Sequence, residues 1–150
     1  MFKILVLEDD KELNRTVCAF LNNSGYEAVG CLNANEAYDA LYENTIDLIV
    51  SDIMMPGVDG FEFARSVRYV NNEIPILFMT ARDDIASKQR GFRIGVDDYM
   101  VKPIDLDELF LRIGALCVVR KLHPAGNLRL AALLWMQTSI PPIWEIMRFR

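Results

Sequence analysis

Along this chain the apolar positions alternate between two periods. From Phe2 to Leu7 the run FKILVL is short, nearly unbroken and rich in Ile, Val and Leu, the pattern of a strand buried on both faces. From Lys11 the period becomes helical, with Leu13, Val17, Phe20 and Leu21 on one face. Ser24-Gly25 then supplies a stop, since glycine takes the left-handed conformation of a helix C-cap without strain. The same alternation continues with a strand over Tyr26 to Cys31, a helix over Ala34 to Glu43 and a buried strand over Ile46 to Ser51. The segment IMMPGVDG carries the turn pairs Pro56-Gly57 and Asp59-Gly60 and predicts a loop. A helix follows over Phe61 to Val70, a strand over Ile74 to Met79, and a helix over Asp83 to Ile94 closed by Gly95. The series ends with a short strand over Asp98 to Val101, then Lys102-Pro103, then an amphipathic helix over Asp105 to Val119 with Asp105 as its N-cap.

Five strands alternating with five helices call for an α/β fold in which right-handed crossovers place helices on both faces of a parallel sheet. Alternation alone leaves the strand order open. A doubly wound sheet with its switch point between the first and third strands would gather the carboxyl ends of those strands at one crevice, where such folds bind ligands.

The bulk numbers narrow this further. At 150 residues the chain accommodates one well-buried domain and a tail. Its 52% hydrophobic content is not arranged in any run near the roughly 20 residues that span a bilayer, and the N-terminus has no secretory pattern, so a cytoplasmic protein with no membrane partner is expected. Cys18, Cys31 and Cys117 are odd in number and lack ligand spacing, which points to buried reduced thiols, and the lone His123 reads as a surface residue. Residues 1–120 hold 12 basic and 20 acidic side chains, whereas residues 121–150 hold 4 basic and 1 acidic. The first part is therefore a poor ligand for nucleic acid, whose affinity comes largely from Lys and Arg.

The chemistry concentrates at strand ends. Glu8 and Asp9 close the first strand and Asp52 the third. Three carboxylates meeting there suit Mg2+, a hard cation that takes one or two carboxylates, waters and a substrate phosphate. Without it their mutual repulsion should raise at least one pKa. With it, Asp52 is placed to act as a carboxylate nucleophile towards phosphorus. Phosphoryl transfer also requires a cation and a hydroxyl near the transferred group, and the fourth and fifth strands end in Thr80 and Lys102.

Together LEDD, DLIVSDIMMPGVDGFEF, MTARDD, GVDDY and KP, in this order over residues 2 to about 120, resemble the receiver domain of bacterial two-component response regulators. The resemblance implies a flavodoxin-like sheet of order 2-1-3-4-5. It makes Asp52 the phosphoacceptor of a sensor histidine kinase. Glu8, Asp9, Asp52 and the backbone carbonyl of Met54 become the Mg2+ ligands, and Asp10 points elsewhere. Lys102 becomes the partner of the phosphoryl group, joined to Pro103 by a cis bond. Thr80 becomes the switch hydroxyl and Tyr99 the aromatic ring that follows it inward. Such a protein is a signalling switch that assists its own phosphorylation and dephosphorylation, not an enzyme in the ordinary sense.

TARDD and GVDDYMVKP are most similar to the winged-helix (OmpR/PhoB-type) transcriptional subfamily. This implies a homodimer on phosphorylation through the fourth helix, fifth strand and fifth helix, with Lys88 pairing Glu108 and Asp98 pairing Arg112 across it. Gly114 and Gln89 depart from the subfamily, which often has a basic residue at the first position and an apolar one at the second.

On this reading residues 1–120 are the receiver and residues 121–150 a hydrophobic, basic tail, too short for a DNA-binding domain, so that DNA contact belongs to an effector domain. Codon arithmetic offers an origin for the tail. Read from the third base of each codon, Leu134 to Phe149 permits a peptide resembling the opening strands of a winged-helix domain, as a frameshift shortly after Arg120 would produce. Two other functions compete with the transcriptional one. A single-domain receiver could act by protein contact or phosphate shuttling, and a phosphatase could use an aspartyl-phosphate intermediate. The latter would place its nucleophile after the first strand in an Asp-x-Asp arrangement, which LEDD lacks.

Overall fold

A computed structural model describes residues 2–81 and 84–122, with side chains through residue 118. The expectations for His123 and for the tail fall outside the described residues. The elements are β1 (Lys3–Leu7), α1 (Lys11–Asn23), β2 (Glu27–Cys31), α2 (Ala34–Glu43), β3 (Leu48–Ser51), α3 (Gly60–Val70), β4 (Ile76–Thr80), α4 (Ile85–Ile94), β5 (Asp98–Val101) and α5 (Leu106–Leu122). All strand pairs are parallel, in the order β2-β1-β3-β4-β5. The chain divides into two compact units, the first ending at Leu106 and the second beginning at Asp107.

Local chemistry accounts for the helix ends. Asp10, Asn33, Asp59 and Asp84 are the N-caps of α1 to α4, each side chain accepting from a backbone N–H of the first turn. Gly95 ends α4 in the left-handed region at φ 109°. Against the sequence expectation β3 begins two residues later and β4 runs Ile76–Thr80 instead of Ile74 to Met79. Ile46 and Ile74 are still buried, so they contribute to the core without pairing in the sheet.

Every residue of β3 and β4 is buried, as the near-continuous apolar runs required. Leu5, Leu7, Ile49, Ile76 and Phe78 share one cluster with Ala37 of α2, Phe63, Ala64 and Val67 of α3, and Tyr99. Burying a large apolar side chain of this kind is worth about 1.5–3 kcal/mol. In the second unit, Leu109, Ile113 and Leu116 recur at helical spacing along α5 and are buried.

The register fixes what stands at the carboxyl edge. Leu7 pairs with Ser51, so Glu8 and Asp52 each lie one residue beyond a matched pair. The ladder continues past the strands, with Asp52 N donating to Leu7 O at 2.9 Å and Glu8 N to Cys31 O at 3.0 Å. Thr80 pairs with Val101, and Lys102 N donates to Thr80 O at 2.7 Å.

Candidate functional site

Two buried carboxylates and one lysine form the centre of the carboxyl edge. Glu8 is 0% exposed and Asp52 4%, while the neighbouring Asp9 is exposed. Asp52 Oδ1 accepts from Ile53 N at 2.7 Å and from Met54 N at 3.3 Å. Its Oδ2 accepts from Lys102 Nζ at 2.9 Å. Lys102 Nζ also donates to Glu8 Oε1, and Glu8 Oε2 accepts from Asp10 N at 3.3 Å. The ammonium thus bridges two carboxylates that come from strands 44 residues apart in sequence.

The charges respond to this packing. Glu8 is raised from 4.5 to about 7, first by burial, against the lowering effect of the Lys102 bond and with a further rise from the charge of Asp52. Repulsion among the acids was the expected cause, and in the structure burial outranks it. For Lys102, burial alone would lower the pKa, but the bonds to Glu8 and Asp52 more than offset it and the net shift is upward.

Glu8, Asp9 and Asp52 each present an oxygen within 4.8 Å of the others, the one such group of acids, cysteines or histidines found among the described residues. The donor set is all oxygen. With all three carboxylates ionised it exceeds the single Lys102 charge by two, which a divalent hard cation would neutralise. The residues therefore fit Mg2+. Met54 follows in the loop with its side chain 59% exposed. Asp10, set aside as a ligand, caps α1 by accepting from Glu12 N at 3.0 Å and Leu13 N at 3.2 Å.

Around this centre Thr80 is fully buried at the end of β4. The Lys102-Pro103 bond is cis. Tyr99 is 8% exposed, its ring edge-on to Phe78 at 6.1 Å, with Lys88 Nζ 5.8 Å from its centroid. The residues expected at a dimer face occupy varied surroundings. Asp98 is 3% exposed and its Oδ1 accepts from Tyr99 N at 2.7 Å. Arg112 Nε donates to Glu108 Oε1 at 3.0 Å within α5.

Two residues outside the sequence expectation hold the site in place. Asn14 is buried in α1, and its Nδ2 donates to Val6 O at 3.3 Å, Glu8 O at 3.0 Å and Cys31 O at 2.9 Å. It ties the ends of β1 and β2 together just where Glu8 leaves the sheet. The sequence signal was a polar residue in register with Val17 and Leu21, the two buried apolar positions of that helix. Gly60, at the start of α3, approaches the backbone of Asp52 so closely that a Cβ there would lie 2.1 Å from Asp52 O.

Comparison with known proteins agrees with this geometry. Residues 4–114 match the family model of the response regulator receiver domain. The chain is 43% identical over 114 residues to "Regulatory protein VanRB" of Enterococcus faecalis, a match covering 76% of this chain and 51% of that protein. It is 41% identical over 125 residues to "Transcriptional regulatory protein RprY" of Bacteroides fragilis, covering 83% of this chain and 52% of that protein. The chain thus matches about half the length of these curated relatives. Among solved structures it is similar to the receiver domain of the Francisella response regulator 1452, with a TM-score of 0.73 and 32% identity over 77% of this chain and 96% of that one. Sequence, fold and family model agree over the same residues: this chain belongs to the response regulator receiver domain family.

Proposed function

We propose that the protein is a phosphorylation-dependent switch in which Asp52 accepts a phosphoryl group from a sensor histidine kinase and so changes the contacts the domain makes. The observation that carries this reading is the bridge from Lys102 Nζ to Asp52 Oδ2 at 2.9 Å beside Glu8 and Asp9. It combines a buried acceptor, a fixed cation and an oxygen cluster suited to Mg2+. The Asp52 carboxylate attacks phosphorus in line, the bond from phosphorus to the donor's leaving atom breaks, and the leaving group departs with its electron pair. Mg2+ held by Glu8, Asp9, Asp52 and the Met54 carbonyl would supply charge neutralisation between carboxylates and phosphoryl oxygens. The bonds from Ile53 N and Met54 N hold Oδ1 and leave the carboxylate oriented about its other oxygen. Lys102 is a fixed donor to the phosphoryl group and needs little reorganisation at the moment of transfer.

Thr80 and Tyr99 report the event. A phosphoryl group on Asp52 offers acceptors to the Thr80 hydroxyl, and movement of Thr80 alters the space available to the Tyr99 ring. Output then passes through Lys88, Asp98, Glu108 and Arg112 as a dimer, and through an effector domain for transcription, the activity that RprY's name carries. Residues 1–120 act as the receiver in this scheme, and their acidic balance leaves DNA contact to the effector. No helix among the described residues is long and apolar enough to cross a membrane, and none is needed for this role.

Incubation with acetyl phosphate and Mg2+, followed by intact mass, tests the proposal. One phosphoryl group should appear on the wild type and none on Asp52→Ala. Equal incorporation in the two proteins rejects Asp52 as acceptor.

A further inference from the structure

Two open clefts meet at Arg90 on the α3/α4 side of the molecule. One, of about 400 Å3, lies between the loop after Asp52, with Met54 and Pro56, and Arg90. The other, of about 580 Å3, is lined by Arg65, Arg90, Arg93 and Ile94. Three arginines on one groove are conspicuous in a region where acids outnumber bases by 20 to 12. All three are exposed, and no carboxylate pairs with them among the described residues. Arg90 instead lies 4.3 Å from the centroid of Phe61, and Arg93 Nε reaches Gln89 O at 3.5 Å within its own helix. Arg68 on α3 shows the contrast, since its charge is met internally by Asp97 at 2.9 Å. Arg90 and Arg93, three residues apart on α4, repel each other with no internal compensation.

The rest of the surface has the composition of an interface. Tyr69, one turn beyond Arg65 on α3, is 94% exposed, and Met54, lining the adjoining cleft, is exposed as well. Arg, Tyr and Met are enriched at protein interfaces, where an aromatic ring and a guanidinium provide area and directional bonds together. A free phosphate is a poorer fit. No arginine is enclosed, so nothing excludes water around a small anion, whereas a broad acidic face could engage all three guanidiniums at once.

Such a face exists on this chain. Glu36, Asp39 and Glu43 line the exposed side of α2, a helix without a basic residue, and none of them forms an ion pair among the described residues. Tyr42, between Asp39 and Glu43, is 92% exposed. We propose that the groove of Arg65, Arg90 and Arg93 takes the acidic face of α2 from a second copy of the chain. Because groove and face are different surfaces, the contact is heterologous and builds head-to-tail chains or closed rings, unlike a two-fold dimer. It is independent of the phosphorylation proposed above. Arg90 also lines the adjoining cleft beside the loop that follows Asp52, so the contact is placed to sense that loop.

Sedimentation velocity of the full chain without phosphodonor, at low and high salt over a concentration series, tests this. The wild type should associate reversibly at low salt and dissociate at high salt. R65E/R93E and D39K/E43K should each lower the association constant by about tenfold or more, because like charges then face each other. Mixing the two variants should restore association, since each supplies the surface complementary to the other while both remain net acidic. R15E, which reverses an exposed arginine of α1 outside both surfaces, should associate as the wild type does. Circular dichroism of every variant checks folding, and the two double variants carry the prediction independently. Absence of wild-type association at low salt overturns the proposal, as does failure of the mixture to associate. Loss in D39K/E43K alone also overturns it, because α2 would then meet something other than the arginine groove.

Discussion

Glu8 is the residue on which the local energetics turn. Its folded pKa of about 7 exceeds its ordinary value of 4.5, so between those pH values the folded state binds more protons than the unfolded state. The contribution of Glu8 to the stability of the metal-free protein is then fully present below about pH 4.5 and is lost as pH rises through about 7, by up to about 3 kcal/mol. Urea unfolding in EDTA across this range should show the decline, and Glu8→Gln should flatten it. Mg2+ opposes the trend because it binds the ionised carboxylates, so its apparent affinity should rise with pH over the same interval. Cys31 is shifted in the same direction, its thiol pushed up to about 11 mainly by burial, which leaves little thiolate at neutral pH.

At the scale of elements, the site depends on how closely α1 and α3 approach the sheet. Asn14→Ala removes the donor that ties Val6, Glu8 and Cys31, leaving three carbonyl oxygens without it at the junction of β1 and β2. A loss of about 1–3 kcal/mol is expected in denaturant unfolding, with weaker Mg2+ binding because Glu8 is no longer anchored. Gly60→Ala acts from the other side. Its Cβ would fall 2.1 Å from Asp52 O, backbone that gives only if β3 or α3 shifts. Destabilisation of about 1–3 kcal/mol or more is expected, with phosphoryl incorporation reduced beyond what unfolding explains, measured by intact mass under conditions where circular dichroism shows a folded protein.

For the whole molecule, the sheet order determines which distant residues become neighbours. Loops leave the carboxyl edge in opposite directions where β1 adjoins β3, and the acids of both strands face one crevice there. Phosphorylation through this crevice should shift the chain towards a dimer, in addition to any salt-sensitive association already present without phosphodonor. Arg112→Glu should abolish the phosphorylation-dependent increment in sedimentation while Asp52 is still modified. An unchanged increment would remove Arg112 from that face.

What the sequence determined by itself follows from patterns that are local and periodic. Hydrophobic period and turn chemistry located all ten elements, with α2 and β5 matched to the residue, and motif spacing placed Glu8, Asp9, Asp52, Thr80 and Lys102 at strand ends. β3, β4 and α4 each begin two residues later than the pattern indicated, the strands because Ile46 and Ile74 are apolar for the core and not for the ladder, and the helix because Asp84 is its N-cap. Tertiary structure decided what depends on approach between distant segments. Burial outranked repulsion in raising Glu8, since how deep a carboxylate lies is set by what packs over it. Asp98 turned inward to its own strand. Asn14 became a clasp only because β1 and β2 end beside it, and the arginines of α3 and α4 became one surface only because those helices are adjacent. Periodicity records which side of an element is buried, and only the packed fold records what that side meets.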